Sequence, residues 1–138
     1  MNTNIHDSSF VHKKANIAEN VSVGPFSVIG PNVKIGKNCI IHSHVVIDGY
    51  TTIGDGNEIY PFCVIGSTPQ HMKYNGEISE LIIGDYNIMR EHVTIHPGTE
   101  VGIKKTIIGN NGFFMVGSHV AHDCIVGNNV VFVNNAVI

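Results

Sequence analysis

The sequence predicts an all-β protein, a parallel β-helix wound from six-residue repeats, and two observations support this. First, isoleucine or valine occupies every sixth position of the first 65 residues, at Ile5, Val11, Ile17, Val23, Ile29, Ile35, Ile41, Ile47, Ile53, Ile59 and Ile65. Second, a small or β-branched residue usually follows four places later, as at Ala15, Val21, Ser27, Val33, Cys39, Val45, Thr51 and Cys63. A period of six matches neither a helix nor simple strand alternation, so it indicates an internal repeat. Three short strands and three corners would close one triangular coil.

The repeat stops after Ile65 and returns at Ile83, an interval that we interpret as one whole coil with its phase preserved. The segment near 67–80 breaks the pattern and is predicted to be a loop projecting from the solenoid. Such loops are favoured places for binding residues, although a tolerated insertion is the alternative interpretation.

After Ile83 the repeat continues for three positions and then slips by one residue. The slip indicates a second, smaller excursion at 102–105. The later repeat positions are Met89, Ile95, Val101, Ile108, Phe114, Val120, Val126, Phe132 and Ile138.

The chain is expected to form one β-helix domain over residues 1–138. Ile138 is itself a repeat position, and no capping helix or polar closing segment follows it. A solenoid that stops within a coil leaves an unpaired edge, which repeat proteins normally cover. We therefore expect this sequence to be the front part of a longer protein.

Composition argues against several classes of function. Charged residues make up 14% of the chain and the net charge is −3, with no basic run to follow a nucleic-acid backbone. No apolar stretch approaches the roughly 20 residues of a membrane span, and the polar start at residues 1–4 does not resemble a signal peptide. The expected compartment is the cytoplasm.

The three cysteines occupy the small inward position of the repeat, at Cys39, Cys63 and Cys124. We expect them to be buried small hydrophobic residues. Their odd number argues against a disulfide framework, and no Cys-x-x-Cys pair suggests zinc.

Among nine histidines, those around Val120 are the most informative. Val120 and Cys124 are predicted to point inward, so His119, His122 and Asp123 would share one outer patch. Histidine is the natural general base at neutral pH, and a carboxylate partner fixes its tautomer. Ordinary surface histidines are the alternative. A zinc site like that of the hexapeptide carbonic anhydrases is disfavoured, because their His-x4-His spacing is absent.

Four runs in order carry a resemblance to a known family: residues 43–49 (SHVVIDG), 57–60 (NEIY), 73–77 (KYNGE) and 119–124 (HVAHDC). With them, the chain resembles the first half of the acyl-ACP–UDP-N-acetylglucosamine O-acyltransferases of lipid A biosynthesis. The resemblance implies left-handed winding, against the usual right-handed crossover preference. It also implies a soluble homotrimer with active sites in clefts between neighbouring β-helices.

The activity implied by the resemblance is transfer of a 3-hydroxyacyl chain from acyl carrier protein to the 3-hydroxyl of UDP-N-acetylglucosamine. No cofactor is expected beyond the phosphopantetheine carried by the donor, and no metal. His122 matches the family's catalytic base and Asp123 its orienting partner. The matches to substrate-contacting residues are His119, Lys73, Gln70 and His71.

Two residues depart from the family pattern. His71 stands where aspartate is common, which alters a contact to the sugar, and Pro97 stands where arginine is usual. The family's later coils, which would supply the oxyanion donor and the acyl-length stop, lie beyond Ile138. Two other functions stay open, a hexapeptide acyltransferase that uses acyl-CoA and a non-catalytic solenoid scaffold.

Overall fold

A computed structural model describes residues 2–138, which form a parallel β-helix of 19 short strands in three sheets. Sheet A contains β1 (Asn4–Ile5), β4 (Ser22–Val23), β7 (Ile40–Ile41), β10 (Glu58–Ile59), β13 (Ile88–Met89), β16 (Phe113–Phe114) and β19 (Val131–Phe132). Sheet B contains β2 (Phe10–Val11), β5 (Val28–Ile29), β8 (Val46–Ile47), β11 (Val64–Ile65), β14 (Thr94–Ile95) and β17 (His119–Val120). Sheet C contains β3 (Asn16–Ile17), β6 (Lys34–Ile35), β9 (Tyr50–Ile53), β12 (Glu80–Ile83), β15 (Lys105–Ile108) and β18 (Ile125–Val126).

Each coil contributes one strand to each sheet, so a strand pairs in parallel with the strand three places later in the chain. Val23 thus lies over Ile5, and Ile47 over Ile29. The repeat aliphatic and the residue two places before it both point inward and fill the prism, as at Val45 and Ile47. The predicted all-β solenoid is confirmed. None of the described residues belongs to a helix that could cross a membrane.

The corners require backbone conformations that L-residues seldom adopt. Twelve non-glycine residues among those described have a positive φ, including Asn20, Asn38 and Asn129 at 58°. Asparagine tolerates this left-handed region, but bulky residues there are unusual. Phenylalanine occupies it at Phe26 and Phe62, with φ of 59° and 67°.

These bulky corner residues stack on one another at the corner between sheets A and B. The rings of Phe26, His44, Phe62 and His92 follow in order, with centroids 5.2 to 5.3 Å apart. Aromatic stacking of this kind is favourable beyond simple burial, and it offsets the cost of the backbone conformation.

Inside the prism, two buried asparagines replace aliphatic residues and form a hydrogen-bonded ladder. Asn57 Oδ1 accepts bonds from the backbone N–H of Asn87 at 2.9 Å and from its side-chain amide at 3.1 Å. Asn87 in turn accepts a bond from the backbone N–H of Gly112 at 2.8 Å and donates to the carbonyl of Gly109. The ladder satisfies polar groups that would be costly to bury unpaired.

The loop predicted near 67–80 is present, but the interpretation of its length as one whole coil is wrong. Ile83 pairs with Ile53 in sheet C and does not stack over Ile65, which belongs to sheet B. The chain leaves sheet B after Ile65 and reaches sheet C at Glu80, the next sheet in the same coil. The loop therefore replaces a single corner turn.

Val101 is not a repeat position, contrary to the prediction from spacing. It is 68% exposed and lies in the connection between β14 and β15, which spans residues 96–104. The second excursion is therefore longer than 102–105 and begins directly after Ile95. The inward residues that follow it are Thr106 and Ile108.

The cysteines follow the prediction in two of three cases. Cys39 and Cys63 are fully buried in the core, whereas Cys124 is half-buried and packs against its edge. All three thiols are free. Burial raises the pKa of the Cys63 thiol to about 12, so this thiol stays protonated and inert at neutral pH.

Candidate functional site

The corner between sheets B and C carries the candidate site, because three successive coils place unusual segments there. The first loop comprises residues 66–79 between β11 and β12, and the second loop comprises residues 96–104 between β14 and β15. Directly after β17, in the next coil, the short turn at residues 121–124 carries His122 and Asp123. Stacking of the coils thus brings together residues that are up to ~50 positions apart in the sequence.

Asp123 is the centre of the hydrogen bonding at this corner. Its carboxylate accepts bonds from the backbone N–H and the hydroxyl of Thr99, at 2.9 and 2.6 Å. It also accepts the backbone N–H of Ile103 at 2.9 Å, and its own N–H donates to Thr106 Oγ1. One carboxylate therefore fastens the second loop to the turn in the next coil.

These contacts keep Asp123 ionised. Partial burial by itself raises the pKa of the carboxyl, but the hydrogen bonds from Thr99, His122 and Ile103 outweigh burial and lower the pKa below its ordinary value. Asp123 is consequently an acceptor at neutral pH.

His122 is paired with this carboxylate. Its Nδ1 lies 2.8 Å from Asp123 Oδ2, and the two side chains are 29% and 14% exposed. Because an ionised carboxylate only accepts hydrogen bonds, Nδ1 carries the proton and the lone pair of neutral His122 lies on Nε2. This is the arrangement of a histidine base held in one tautomer.

His119 lies on the outer face of sheet B, next to the corner. Its Nδ1 is 2.7 Å from Thr94 Oγ1, on the neighbouring strand β14. Its ring meets that of His96 with centroids 4.8 Å apart and planes 76° apart. His119 is therefore fixed from two sides.

His96 is a residue whose importance the sequence analysis missed. It is only 7% exposed, and its Nδ1 has no hydrogen-bond partner within residues 2–138. Burial lowers its pKa, and the nearby His119 and His122 lower it further, so the ring is neutral at physiological pH. The sequence does contain a signal for this residue. His96 directly follows the inward residue Ile95, and Ala121 has the same position after Val120 in the next coil.

The first loop supplies the other predicted residues. Gln70, His71 and Lys73 line an open groove of about 400 Å3, together with Met72 and with Val101 from the second loop. Gln70 and Lys73 are exposed, and His71 is half-buried. The ring of His71 meets that of His122 with centroids 5.1 Å apart and planes 87° apart.

Glu77 holds the first loop in this position through one hydrogen bond within the loop and one to the second loop. Glu77 accepts the backbone N–H of Asn75 at 2.8 Å and that of Glu100 at 3.4 Å. The second loop is also bound to β12, because the backbone N–H of Gly98 donates to the carbonyl of Glu80 at 3.2 Å. His122 thus contacts both Asp123 and His71, His119 contacts the neighbouring His96, and Gln70 and Lys73 line the adjoining groove.

No group of three histidine, cysteine, aspartate or glutamate side chains within residues 2–138 is arranged to hold a metal ion. The imidazoles at this corner instead contact one another through their rings or bond to Asp123 and Thr94. Proton transfer is the chemistry that this arrangement favours.

Comparison with known proteins identifies the chain's relatives. Residues 14–49 match the family model for bacterial transferase hexapeptide (six repeats). An acyl-ACP–UDP-N-acetylglucosamine O-acyltransferase from Syntrophobacter fumaroxidans is 46% identical over 134 residues, covering 97% of this chain and 52% of the relative. The corresponding protein from Saccharophagus degradans is 48% identical, with the same coverage.

Solved structures agree with the sequence relatives. A crystal structure of a UDP-N-acetylglucosamine acyltransferase superposes with a TM-score of 0.96 at 44% identity, covering 97% of this chain and 52% of that one. A structure from Acinetobacter baumannii gives 0.95 at 44% identity, covering 96% of this chain and 52% of that one. The fold is the left-handed parallel β-helix, which confirms the handedness implied by the resemblance. The chain spans about half the length of these relatives.

Proposed function

We propose that this chain is the N-terminal half of an acyl-ACP–UDP-N-acetylglucosamine O-acyltransferase. The proposal starts from its similarity to that half of the known enzymes. The whole enzyme would move a 3-hydroxyacyl chain from acyl carrier protein to the 3-hydroxyl of UDP-N-acetylglucosamine, the first step of lipid A biosynthesis. The observation that carries this proposal is the His122–Asp123 pair, 2.8 Å apart beside the groove of the first loop. This function would place the protein in the cytoplasm with acyl carrier protein.

In the proposed reaction, His122 acts as the general base. A sugar hydroxyl is a poor nucleophile, so Nε2 of His122 takes its proton as the oxygen attacks the thioester carbonyl carbon. The tetrahedral intermediate then collapses, the carbon–sulfur bond breaks, and the imidazolium returns the proton to the departing thiolate. Ionised Asp123 stabilises the imidazolium formed in between.

The remaining site residues fit the binding of the two substrates. Lys73 carries a positive charge on an exposed loop and can pair with a phosphate of the nucleotide sugar. Gln70 and His71 line the same groove and offer hydrogen bonds to the sugar. His119, fixed by Thr94, faces the outer surface of sheet B and is proposed to contact substrate there.

Replacing the base tests this function. We expect His122→Ala in the full-length enzyme to lower acyl transfer to UDP-N-acetylglucosamine by about 10²–10⁴-fold, because general base catalysis contributes that much. The assay follows the acylated sugar nucleotide formed from 3-hydroxyacyl-ACP. His6→Ala, an exposed imidazole of the first coil, is the matched control and should keep parental turnover. Near-parental turnover of His122→Ala would remove His122 from this role.

Parallel assays with two donors separate the alternatives. The same fold also occurs in a perosamine N-acetyltransferase, at 19% identity and a TM-score of 0.75, so the fold alone does not select the donor. Preference for acyl-CoA over acyl-ACP would favour the alternative function, a hexapeptide acyltransferase that uses acyl-CoA. Failure of the full-length protein to bind either donor or UDP-N-acetylglucosamine would favour a non-catalytic scaffold.

A further inference from the structure

His71 belongs to the first loop, yet its ring contacts the ring of His122 at the corner between sheets B and C. Its ring stands nearly perpendicular to that of His122, at 87°, with centroids 5.1 Å apart. Edge-to-face packing of this kind is an attractive arrangement for planar rings. His122 is thus held through its Nδ1 by Asp123 and through its ring by His71.

The hydrogen bonding of His71 indicates its protonation state. Its Nδ1 accepts the backbone N–H of Lys73 at 3.2 Å. A nitrogen that accepts a hydrogen bond carries no proton, so in this arrangement the proton of His71 lies on Nε2 and the ring is neutral. Protonating Nδ1 would break the bond to Lys73 and place a positive charge beside His122. The loop geometry therefore favours a neutral ring at position 71.

We propose that His71 is a positioning residue for His122, which orients the ring of the base and places an uncharged ring in contact with it. The inference rests on the proposed function of His122 as the base. The other titratable groups facing His122 are Asp123 on its own turn and His96 from the second loop, with His119 beside His96 on sheet B. Glu77 and Lys73 are the charged neighbours of His71 on the first loop.

Ring packing is tested by three substitutions in the full-length enzyme. We expect His71→Ala to lower kcat about tenfold, since small displacements of a catalytic group are costly. His71→Phe keeps a ring against His122 and should recover most of that loss, while His71→Asn, which has no ring, should not. Equal kcat values for the alanine and phenylalanine variants, or parental kcat for the alanine variant, would overturn the positioning role.

Neutrality at position 71 is tested by comparing aspartate with asparagine, which have nearly the same shape. A carboxylate about 5 Å from His122 favours the protonated imidazole, so His71→Asp should move the acidic limb of the kcat/KM profile up by about half to one pH unit. His71→Asn should leave that limb in place. Coinciding limbs for the aspartate and asparagine variants would contradict the proposal.

A readout independent of turnover separates this inference from the proposed function. Diethylpyrocarbonate modifies only neutral imidazoles, so the pH dependence of His122 modification, followed by peptide mass spectrometry, reports its protonation directly. The same shift is expected for His71→Asp and no shift for His71→Asn. If the parental enzyme transferred no acyl group, the proposed function would fail, whereas an unshifted modification midpoint in His71→Asp would refute the contact with His71.

Discussion

At the scale of single residues, the carboxylate of Asp123 contacts both His122 and the second loop. It fixes the tautomer of His122, and it ties down the second loop through Thr99 and Ile103. Removing its charge should therefore affect both catalysis and local stability.

We expect Asp123→Asn to lower acyl transfer by about 10²–10⁴-fold, because a neutral amide does not stabilise the imidazolium and its donating N–H2 can face Nδ1 and favour the wrong tautomer of His122. It should also lower the unfolding free energy by about 1–3 kcal/mol, since the donors of the second loop then share one neutral amide oxygen in place of two carboxylate oxygens. Steady-state assays and urea unfolding of the full-length protein measure the two effects. Asp7→Asn, at an exposed site, should change neither.

The same carboxylate predicts a pH dependence of stability. The pKa of Asp123 is lower in the folded protein than in an unfolded chain, so its contribution is fully present above about pH 4 and is lost as the pH falls further. Thermal unfolding measured between pH 3 and pH 8 should show a steeper acid loss in the parent than in Asp123→Asn. Parallel curves for the two proteins would indicate that this carboxylate is not linked to folding.

At the scale of elements, the asparagine ladder is the feature of the core that depends most on specific partners. Aliphatic neighbours tolerate changes of shape, whereas Asn57 and Asn87 satisfy each other and nearby backbone groups. Losing one member leaves buried polar groups without a partner.

We expect Asn87→Ala to lower the free energy of unfolding by about 1–3 kcal/mol or more, because Asn57 Oδ1 and the N–H of Gly112 would both lose a bond. Asn32→Ala, at an exposed corner position, should stay within about 0.5 kcal/mol of the parent. Urea unfolding of the three proteins makes the comparison. A loss in Asn87→Ala no larger than in Asn32→Ala would refute the role of the ladder.

The elements that the sequence predicted are those fixed by periodicity. An aliphatic residue at every sixth place has one inward direction, so the strands up to Ile65 could be placed from spacing alone. Val101 shows the limit, because an isolated residue can satisfy the period while the chain around it leaves the solenoid. The length of a loop does not determine which sheet the chain enters after it. For this reason the spacing predicts that Ile83 lies over Ile65 in sheet B, whereas it lies over Ile53 in sheet C.

The candidate site was predictable to the same extent. His119, His122 and Asp123 follow from their phase relative to Val120. The burial of His96 and the contact of His71 with His122 depend on the paths of two irregular loops. No spacing rule specifies those paths, because they are set by bonds such as those of Asp123 to Thr99 and Ile103.

At the scale of the whole molecule, the outer face of sheet B is the surface best suited to a second copy of the chain. The outward residues of its six strands include no lysine, arginine, aspartate or glutamate. They are Phe10, Val28, Val46, Val64, Thr94 and His119. A neighbouring chain packed on this row would lie beside His119, as expected for the homotrimer that the sequence resemblance implies.

We expect the full-length protein to form a trimer and Val46→Glu to shift it to smaller species, since a charge buried in an apolar contact is strongly unfavourable. Thr52→Glu places the same charge in the same coil on the outer face of sheet C and should leave the mass unchanged. Sedimentation equilibrium gives both masses. A trimeric Val46→Glu protein together with a dissociated Thr52→Glu protein would move the interface to sheet C.

Both loops lead back into sheet C in register, and this has a consequence for how the sequence of such a protein can change in evolution. Ile83 lies over Ile53 and Ile108 over Ile83, although segments of very different length precede them. Insertions at the corner between sheets B and C therefore leave the register of all three sheets intact. Proteins descended from such a chain can therefore acquire new binding specificities by lengthening or shortening the loops at this corner, while the three sheets stay the same.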